Sequence, residues 1–432
     1  MEQLPSALLH VIVAKVPATD CARLACVART WRQVTYQESL WESHCRSDFP
    51  LLEGLQLDPF DRPCPSWKAT YEAWKSSRLF QRSKLCWDSL RSWAKNNFQE
   101  VATSLIPGAS LEELAEAESV LKCRFPPAAR LLYRLCNGQR IPQAELDCDD
   151  EYQEEAHYIG LIGGYNFSHH YVNVHLLSLR QVMSLTNRIL PPLTRNRRHV
   201  IIAASSNLNK FFFLDCEDGN VYVGTRNLLV DGEMMVCVPE RASTSEEETQ
   251  DGMLRWLEHY AHCLQSGIFH VRTEEGSRSI SLYPETEPYC TTAVTRGVQV
   301  RCSGVFVPEL SRVEELDDSY WFSYSVRMRL LNPAPGQVDA LNTCQLSDRH
   351  WVIRANDTVV AEVRGRAVIG MYPLLKKGDE EFVYESCTGL SAKKGSLDGD
   401  FTFYPGWVSA LKGDSFLAVV ARFPLEVPEY IY

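Results

Sequence analysis

His259 and His262 stand three residues apart in a stretch whose apolar residues Met253, Trp256, Leu257, Tyr260 and Leu264 follow helical spacing. On one helix face the two imidazoles could touch a single metal ion, but no third ligand pattern accompanies them, so a solvated or packed pair is expected. Cys21 and Cys26 are the closest pair among 15 cysteines and also lie in a helical pattern without matching ligands, so no zinc site is expected. Gly365 and Gly370 could begin a phosphate loop, yet such loops join a strand to a helix whose first amides bind the anion, and no helical pattern follows here. Seven of the eleven residues from Glu145 to Glu155 are acidic, without the ligand spacing of a calcium loop, and read as a solvated surface run. The chain contains no G-x-S-x-G, H-E-x-x-H or Walker-type run. These residues offer no catalytic site and imply no metal and no cofactor.

The charge balance points away from phosphate-bearing partners. With 55 acidic and 44 basic residues the chain carries a formal charge of -11, which repels nucleic-acid backbones and anionic headgroups. Only Arg195, Arg197 and Arg198 form a basic run, too short for a nucleic-acid face. Hydrophobic residues at 45% against 23% charged describe a folded chain, and its 432 residues suggest three domains. Single cysteines inside apolar stretches, such as Cys136 and Cys237, read as reduced core residues. No apolar segment reaches the roughly 18 residues of a membrane span, and the start Met1-Glu2-Gln3 lacks a signal-like region. The expectation is an intracellular protein of cytoplasm, nucleus or both.

Three kinds of element succeed one another along the chain. Pro5 suits a first helical position because it has no amide to orphan, and Leu8, Leu9, Ile12, Val13 and Val16 follow it at helical spacing until Pro17. Thr19 and Asp20 offer caps for a second short helix carrying Leu24 and Val27, and Ser39 offers one before Leu40-Trp41. Three small helices are predicted, followed by two amphipathic ones on Trp67, Tyr71, Trp74 and on Trp87, Leu90, Trp93. Ser110 with Glu113 reads as a capping box, and Pro126-Pro127 introduces a helix to Cys136 ended by Asn137-Gly138. From His157 to Val238 the runs are β-like, with Asp218-Gly219 as a hairpin turn, before the helix that carries His259. Beyond Ile268, short β-branched and aromatic runs broken by Gly, Pro and Asn predict a β-sandwich.

The pattern Leu4-Pro5-x-x-Leu8-Leu9-x-x-Ile12, then Leu24 and Val27-Ala28-Arg29-x-Trp31-Arg32, then Leu40-Trp41, resembles the F-box. Departures are mild: Ala7 stands where an acidic residue is common, Cys21 replaces Leu and Ala28 replaces Cys. The segment from Ser110 to Gly138, with Leu114, Glu118, Phe125-Pro126 and Leu131-Leu132-Tyr133, resembles the opening of a SUKH domain. Val307-Pro308-Glu309, Trp321-Phe322-x-Tyr324, Arg349-His350-Trp351, Val363-Arg364-Gly365 and Gly395-Ser396-Leu397-Asp398-Gly399 resemble the ApaG domain, a fibronectin-III-like sandwich. Many ApaG sequences carry a glycine fingerprint at Gly365 to Gly370, but Ala367 occupies its middle position here.

These resemblances imply a multidomain chain: an all-α F-box over 1–49, a helical linker over 50–84, an α+β SUKH-like domain over 85–267 and an all-β ApaG domain over 268–432. They also imply a role without catalysis. An F-box binds a Skp-type adaptor, and through it cullin and RING subunits, with Leu4, Pro5, Leu8, Leu9, Ile12, Leu24, Val27 and Trp31 as the adaptor-binding residues. The rest of the chain would hold a protein substrate whose identity the residues do not disclose. The rival reading is a binding or sensing protein whose ApaG domain recognises a small anion or metabolite. Loops at one end of the sandwich, including Asn332 to Cys344 with Pro333, Pro335 and Gly336, are candidates for recognition.

Overall fold

In this computed structural model the structure describes residues 6–140, 159–167, 170–193, 198–225, 234–238, 250–274, 277–311, 319–332 and 341–428. Leu4, Pro5, the acidic run, Arg195, Arg197 and residues 333–340 of the proline-bearing loop lie outside them.

The amino-terminal end is helical: α1 (Ser6–Val13), α2 (Ala18–Ala25), α3 (Arg29–Thr35) and α4 (Glu38–Asp48). Three helices were expected, and the fourth is Arg29–Thr35, separated from α2 by only the turn at Cys26 and Val27. Pro17 itself caps α2, so Thr19 and Asp20 fall inside its first turn rather than at the cap. Helices of seven or eight residues are unstable alone and hold only by packing. Leu9, Val13, Cys21, Val34, Leu40 and Trp41 supply that packing as a buried cluster.

Next come α5 (Trp67–Ser76) and α6 (Arg78–Asn97), each capped by a serine: Ser66 Oγ accepts from the Ala69 amide and Ser77 Oγ from the Phe80 amide. Phe49 packs between them, with ring centroids 5.2 Å from Tyr71, 5.8 Å from Trp74 and 5.6 Å from Phe80. The 49/50 division therefore cuts through an aromatic cluster. The 84/85 division falls within α6, whose Phe80 joins that cluster while Trp87, seven residues on, donates to the Leu132 carbonyl. Residues 50–66 are held as well: Glu53 accepts from the Leu111 amide and from Arg134, and Asp61 pairs with Arg130.

The middle region continues through α7 (Gln99–Ser104), β1 (Leu105–Pro107), α8 (Leu111–Leu121), α9 (Pro127–Leu135) and β2 (Cys136–Gln139). The capping box opens α8 as the sequence indicates, with Glu113 N to Ser110 Oγ at 3.1 Å and Ser110 N to Glu113 Oε2 at 2.8 Å. Cys136 to Gln139, expected as a helix end and turn, form a strand antiparallel to Leu105–Pro107, whose partnerless backbone they satisfy.

An eight-stranded sheet follows. It contains β3 (Gly163–Phe167), β4 (His170–Leu176), β5 (His199–Ser205), β6 (Lys210–Asp215), β7 (Val221–Thr225), β8 (Met235–Val236), β9 (His270–Glu274) and β10 (Ser277–Ser281), in the order β8-β7-β6-β5-β4-β3-β10-β9. Between β4 and β5 lies α10 (Leu179–Leu193), a helix where only strands were expected, and α11 (Gly252–Gln265) stacks Trp256 on Phe212 of β6. Ile159–Ile162, expected as a strand, precede β3 rather than forming part of it. Because β10 pairs in parallel with β3, the sheet takes in residues beyond 267. A strand at that edge gains backbone partners that an isolated hairpin would lack.

The carboxy-terminal region is the expected sandwich. One sheet has the order β11 (Cys290–Thr295), β12 (Val298–Phe306), β13 (Tyr320–Leu330), β17 (Phe382–Leu390). The other runs β15 (Thr358–Arg366), β14 (Thr343–Ala355), β18 (Lys394–Trp407), β19 (Ala410–Leu411), with β16 (Leu374–Lys376) on β14 and β20 (Phe416–Glu426) on β18. Trp351 crosses the gap, with Tyr324 at 5.8 Å and Phe401 at 5.3 Å in edge-on contact.

Candidate docking surface

The sequence of α1, Ser-Ala-Leu-Leu-His-Val-Ile-Val, is apolar almost all round. A helix of that kind must be covered on every side. The fold covers one side only. Leu9 and Val13, four apart, point into the helical core, whereas Leu8, Val11 and Ile12 remain 47%, 53% and 39% exposed. Their spacing of three and four residues puts these three on one stripe. Val27 in the turn before α3 and Tyr36 just after it are 70% and 62% exposed.

The frame beneath this surface is polar-locked. His10 Nδ1 lies 2.9 Å from Gln37 Oε1, Trp41 Nε1 donates to Thr35 O at 2.8 Å, and Trp67 N donates to Glu38 Oε2 at 2.7 Å. Tyr71 hydroxyl donates to Asp48 Oδ2 at 2.7 Å, and the Lys68 ammonium sits 4.7 Å from the Tyr36 ring centroid. Burial lowers the pKa of His44 and pushes the Cys45 thiol up to about 12, so the helical core favours their neutral forms.

Of the residues expected to bind an adaptor, Leu8, Ile12 and Val27 face outward, Leu9 faces inward, and Leu24 and Trp31 are half-buried against the core. Leu4 and Pro5 lie outside the described residues. Val11 on α1 and Tyr36 after α3 are exposed as well. Val11 stands at i+3 from Leu8, but on a helix apolar nearly all round that spacing does not say which side faces out; Tyr36 has no periodic signal.

The other sequence candidates do not converge. His262 is exposed and His259 half-buried beside Cys263 Sγ at 3.9 Å, and among the described residues no three His, Cys, Asp or Glu side chains gather as metal ligands would. After Gly365 the chain makes a tight turn in which Ala367, Ile369 and Gly370 have φ of 62°, 43° and 77°. Arg349 Nη1 donates to the carbonyls of Arg366 and Ala367 at 3.0 and 2.7 Å, which ties the turn down.

Middle region and sandwich meet through buried polar groups. Lys210 Nζ lies 3.2 Å from Tyr165 Oη, and the Tyr165 hydroxyl donates to Glu309. Burial lowers the Lys210 pKa and raises that of Glu309, both toward the neutral forms, while their mutual attraction opposes it. Arg272 and Arg301 both pair with Glu285, at 2.6 and 2.8 Å. No helix among the described residues is long and apolar enough to cross a membrane.

Comparison with known proteins divides the chain into three matches: an F-box-like family model over residues 1–47, the SMI1/KNR4 family (SUKH-1) over 108–240 and the ApaG domain over 311–405. The F-box protein SKIP16 of Arabidopsis thaliana is 40% identical over 450 residues, covering 100% of both chains. F-box only protein 3 of Homo sapiens is 24% identical over 449 residues, covering 100% of this chain and 84% of its own. Protein ApaG of Methylobacterium nodulans is 35% identical over 136 residues, or 32% of this chain and 92% of its own.

Proposed function

The chain belongs to the family of F-box proteins that join a SUKH-type middle domain to a carboxy-terminal ApaG domain, and from that premise we propose that it is the non-catalytic, substrate-recruiting subunit of an SCF-type ubiquitin ligase. The supporting observation is the exposed stripe of Leu8, Val11 and Ile12 on a helix whose opposite side is buried. A Skp-type adaptor covers that stripe together with Val27 and Tyr36, and brings in the cullin and RING subunits. Leu9, Leu24 and Trp31 act from beneath, holding the surface in shape; Leu4 and Pro5 complete the set of adaptor-binding residues. The middle and ApaG regions hold a protein substrate, in the cytoplasm or nucleus where this machinery operates. The chain contributes proximity, raising the local concentration of substrate lysines near the charged conjugating enzyme.

The test uses the exposed stripe, because removing residues 1–49 would uncover Tyr71, Trp74 and Phe80 and confound docking with folding. The double variant Leu8→Ser, Ile12→Ser should lose adaptor co-purification by well over tenfold while melting as the wild type does, since both side chains are already solvent-exposed. Undiminished adaptor capture by a correctly folded double variant would sink the assignment. The metabolite-sensing alternative is separated by a melting scan with small anions: a ligand of the folded ApaG region raises its melting temperature, and adaptor binding does not require one.

A further inference from the structure

Cys123 and Cys216 are 93 residues apart in the chain, yet their sulfurs lie 3.6 Å apart. Cys123 sits in the turn between α8 and α9, and Cys216 in the turn between β6 and β7, so the pair bridges the helical layer and a hairpin turn of the large sheet. Both are half-buried, unlike most of the other cysteines, which are fully buried in the cores. Cys123 opens onto a recess of about 560 Å³ lined also by Glu118, Ser119, Lys122, Arg124 and Arg130. Lys122 and Arg124 are exposed at its rim, whereas Arg130 is neutralised by Asp61 and Glu118.

We propose that Cys123 and Cys216 form an oxidisable dithiol site, with Cys123 as the thiol that reacts with a hydroperoxide and Cys216 as the one that resolves it into a disulfide. Access sets the roles: Cys123 lines the recess, and Cys216 is not among its lining residues. Cys216 Sγ donates its hydrogen to Cys123 Sγ, and that bond lowers the pKa of Cys123 while raising that of Cys216. The thiolate is the nucleophile, and the sulfur that opens onto the recess meets the oxidant first. The open recess lets a small polar oxidant reach the Cys123 sulfur, while burial and the Glu118 carboxylate oppose the thiolate.

The Cys123 thiolate attacks one oxygen of hydrogen peroxide, the O–O bond breaks, and hydroxide leaves with a proton from solvent as water. Cys123 is then a sulfenic acid. Cys216 sulfur attacks the Cys123 sulfur, the S–O bond breaks, and the departing hydroxide takes the Cys216 proton to leave as a second water. Two thiols lose two electrons and one peroxide gains them. A disulfide needs the sulfurs at about 2.05 Å, and both residues lie in turns, where so short an adjustment is local. A disulfide in a reducing compartment is transient, which suits a reporting modification rather than a permanent staple.

The experiment treats the full chain with one to a few equivalents of hydrogen peroxide, alkylates remaining thiols and maps peptides by mass spectrometry. The expected result is a linked peptide pair joining Cys123 to Cys216, abolished by dithiothreitol and at least about tenfold more abundant than any other cross-link. Cys216→Ser should instead accumulate a dimedone adduct on Cys123, and Cys123→Ser should leave Cys216 unmodified. Alkylation of both cysteines in unlinked peptides, while exposed Cys26 becomes oxidised, would overturn the proposal. So would a dimedone adduct that appears on Cys216 rather than Cys123. The wild-type map decides the matter by itself if either variant folds poorly.

Discussion

The two ends of the chain both expose apolar side chains, but in different company. On α1 the exposed Leu8, Val11 and Ile12 are the outward stripe of an eight-residue helix with no charged residue among its members. On the sandwich, Val359, Val360, Leu417 and Val419 are equally exposed, yet they alternate with Glu362, Arg364, Thr402 and Asp400 on strands of nine to fourteen residues paired along their length. Strand β15 is a sheet edge with a bulge between Ile353 and Arg354 of its partner and charges along its second half. Bulges and charges are how an edge avoids pairing with other chains. The helical end thus leaves an unbroken apolar stripe uncovered, whereas these strands of the sandwich are finished by the charged and polar residues between their apolar ones.

The strongest way to break this comparison is to open each core. Trp74→Ala and Trp351→Ala each remove a buried indole, 1% and 3% exposed, and each should cost about 3–5 kcal/mol in urea unfolding. Only Trp74→Ala should also abolish adaptor capture, because Trp74 packs on Phe49 at the foot of α4. If both variants lose the adaptor equally, the ends are not independent.

Acid should sharpen the contrast. Burial lowers the pKa of His175 in β4 to about 4, below its ordinary 6.5, and also lowers that of His44. For a histidine held neutral by the fold, the stability contribution is complete above the unfolded value and is lost as pH falls from about 6.5 toward 4. The His175 shift alone corresponds to about 3 kcal/mol. Hydrogen exchange at pH 7 and pH 5 should show protection falling first in β4 and its neighbours, and His175→Gln should flatten that dependence. Uniform loss across sandwich and middle sheet would contradict it.

The smallest effect expected is on the finished surface. Leu417→Thr and Val419→Thr, on a face already half in water, should each move stability by less than about 0.5 kcal/mol and leave adaptor capture unchanged. A loss of adaptor would reveal a second docking contact.

Much of this architecture was legible in the residues. Ser110 and Glu113 made their capping box, Asp218-Gly219 its hairpin with Gly219 at φ 76°, and the C-terminal runs became strands because turn residues punctuated them. Leu179–Leu193 escaped because Pro191-Pro192 and nearby Ser, Thr and Asn mimic a loop. The helix nevertheless forms: Leu179, Val182 and Leu185 are buried, and the Thr186 hydroxyl accepts from the Ile201 amide. The place of β9 and β10 was hidden for another reason, since strand partners are chosen by the sheet and not by the strand. In the candidate site, periodicity placed Leu8, Leu9 and Ile12 on α1 but could not say which faced out, because nearly every residue of that helix is apolar.

Helix α6 has a consequence for aim. Its 20 residues span about 30 Å, rooted at the first turn beside Phe49, at the midpoint by Trp87, which donates to the Leu132 carbonyl, and at the last residue by Arg278, which donates to the Asn97 carbonyl. Arg82 clamps it to Asp251 and Glu258 on the way. A floppy tether would let a cargo wander through a sphere of positions; a buried rod gives it a bearing. A substrate-recruiting subunit of the kind proposed above would sweep a narrow sector, and would select lysines by where they sit on the cargo rather than by the residues around them.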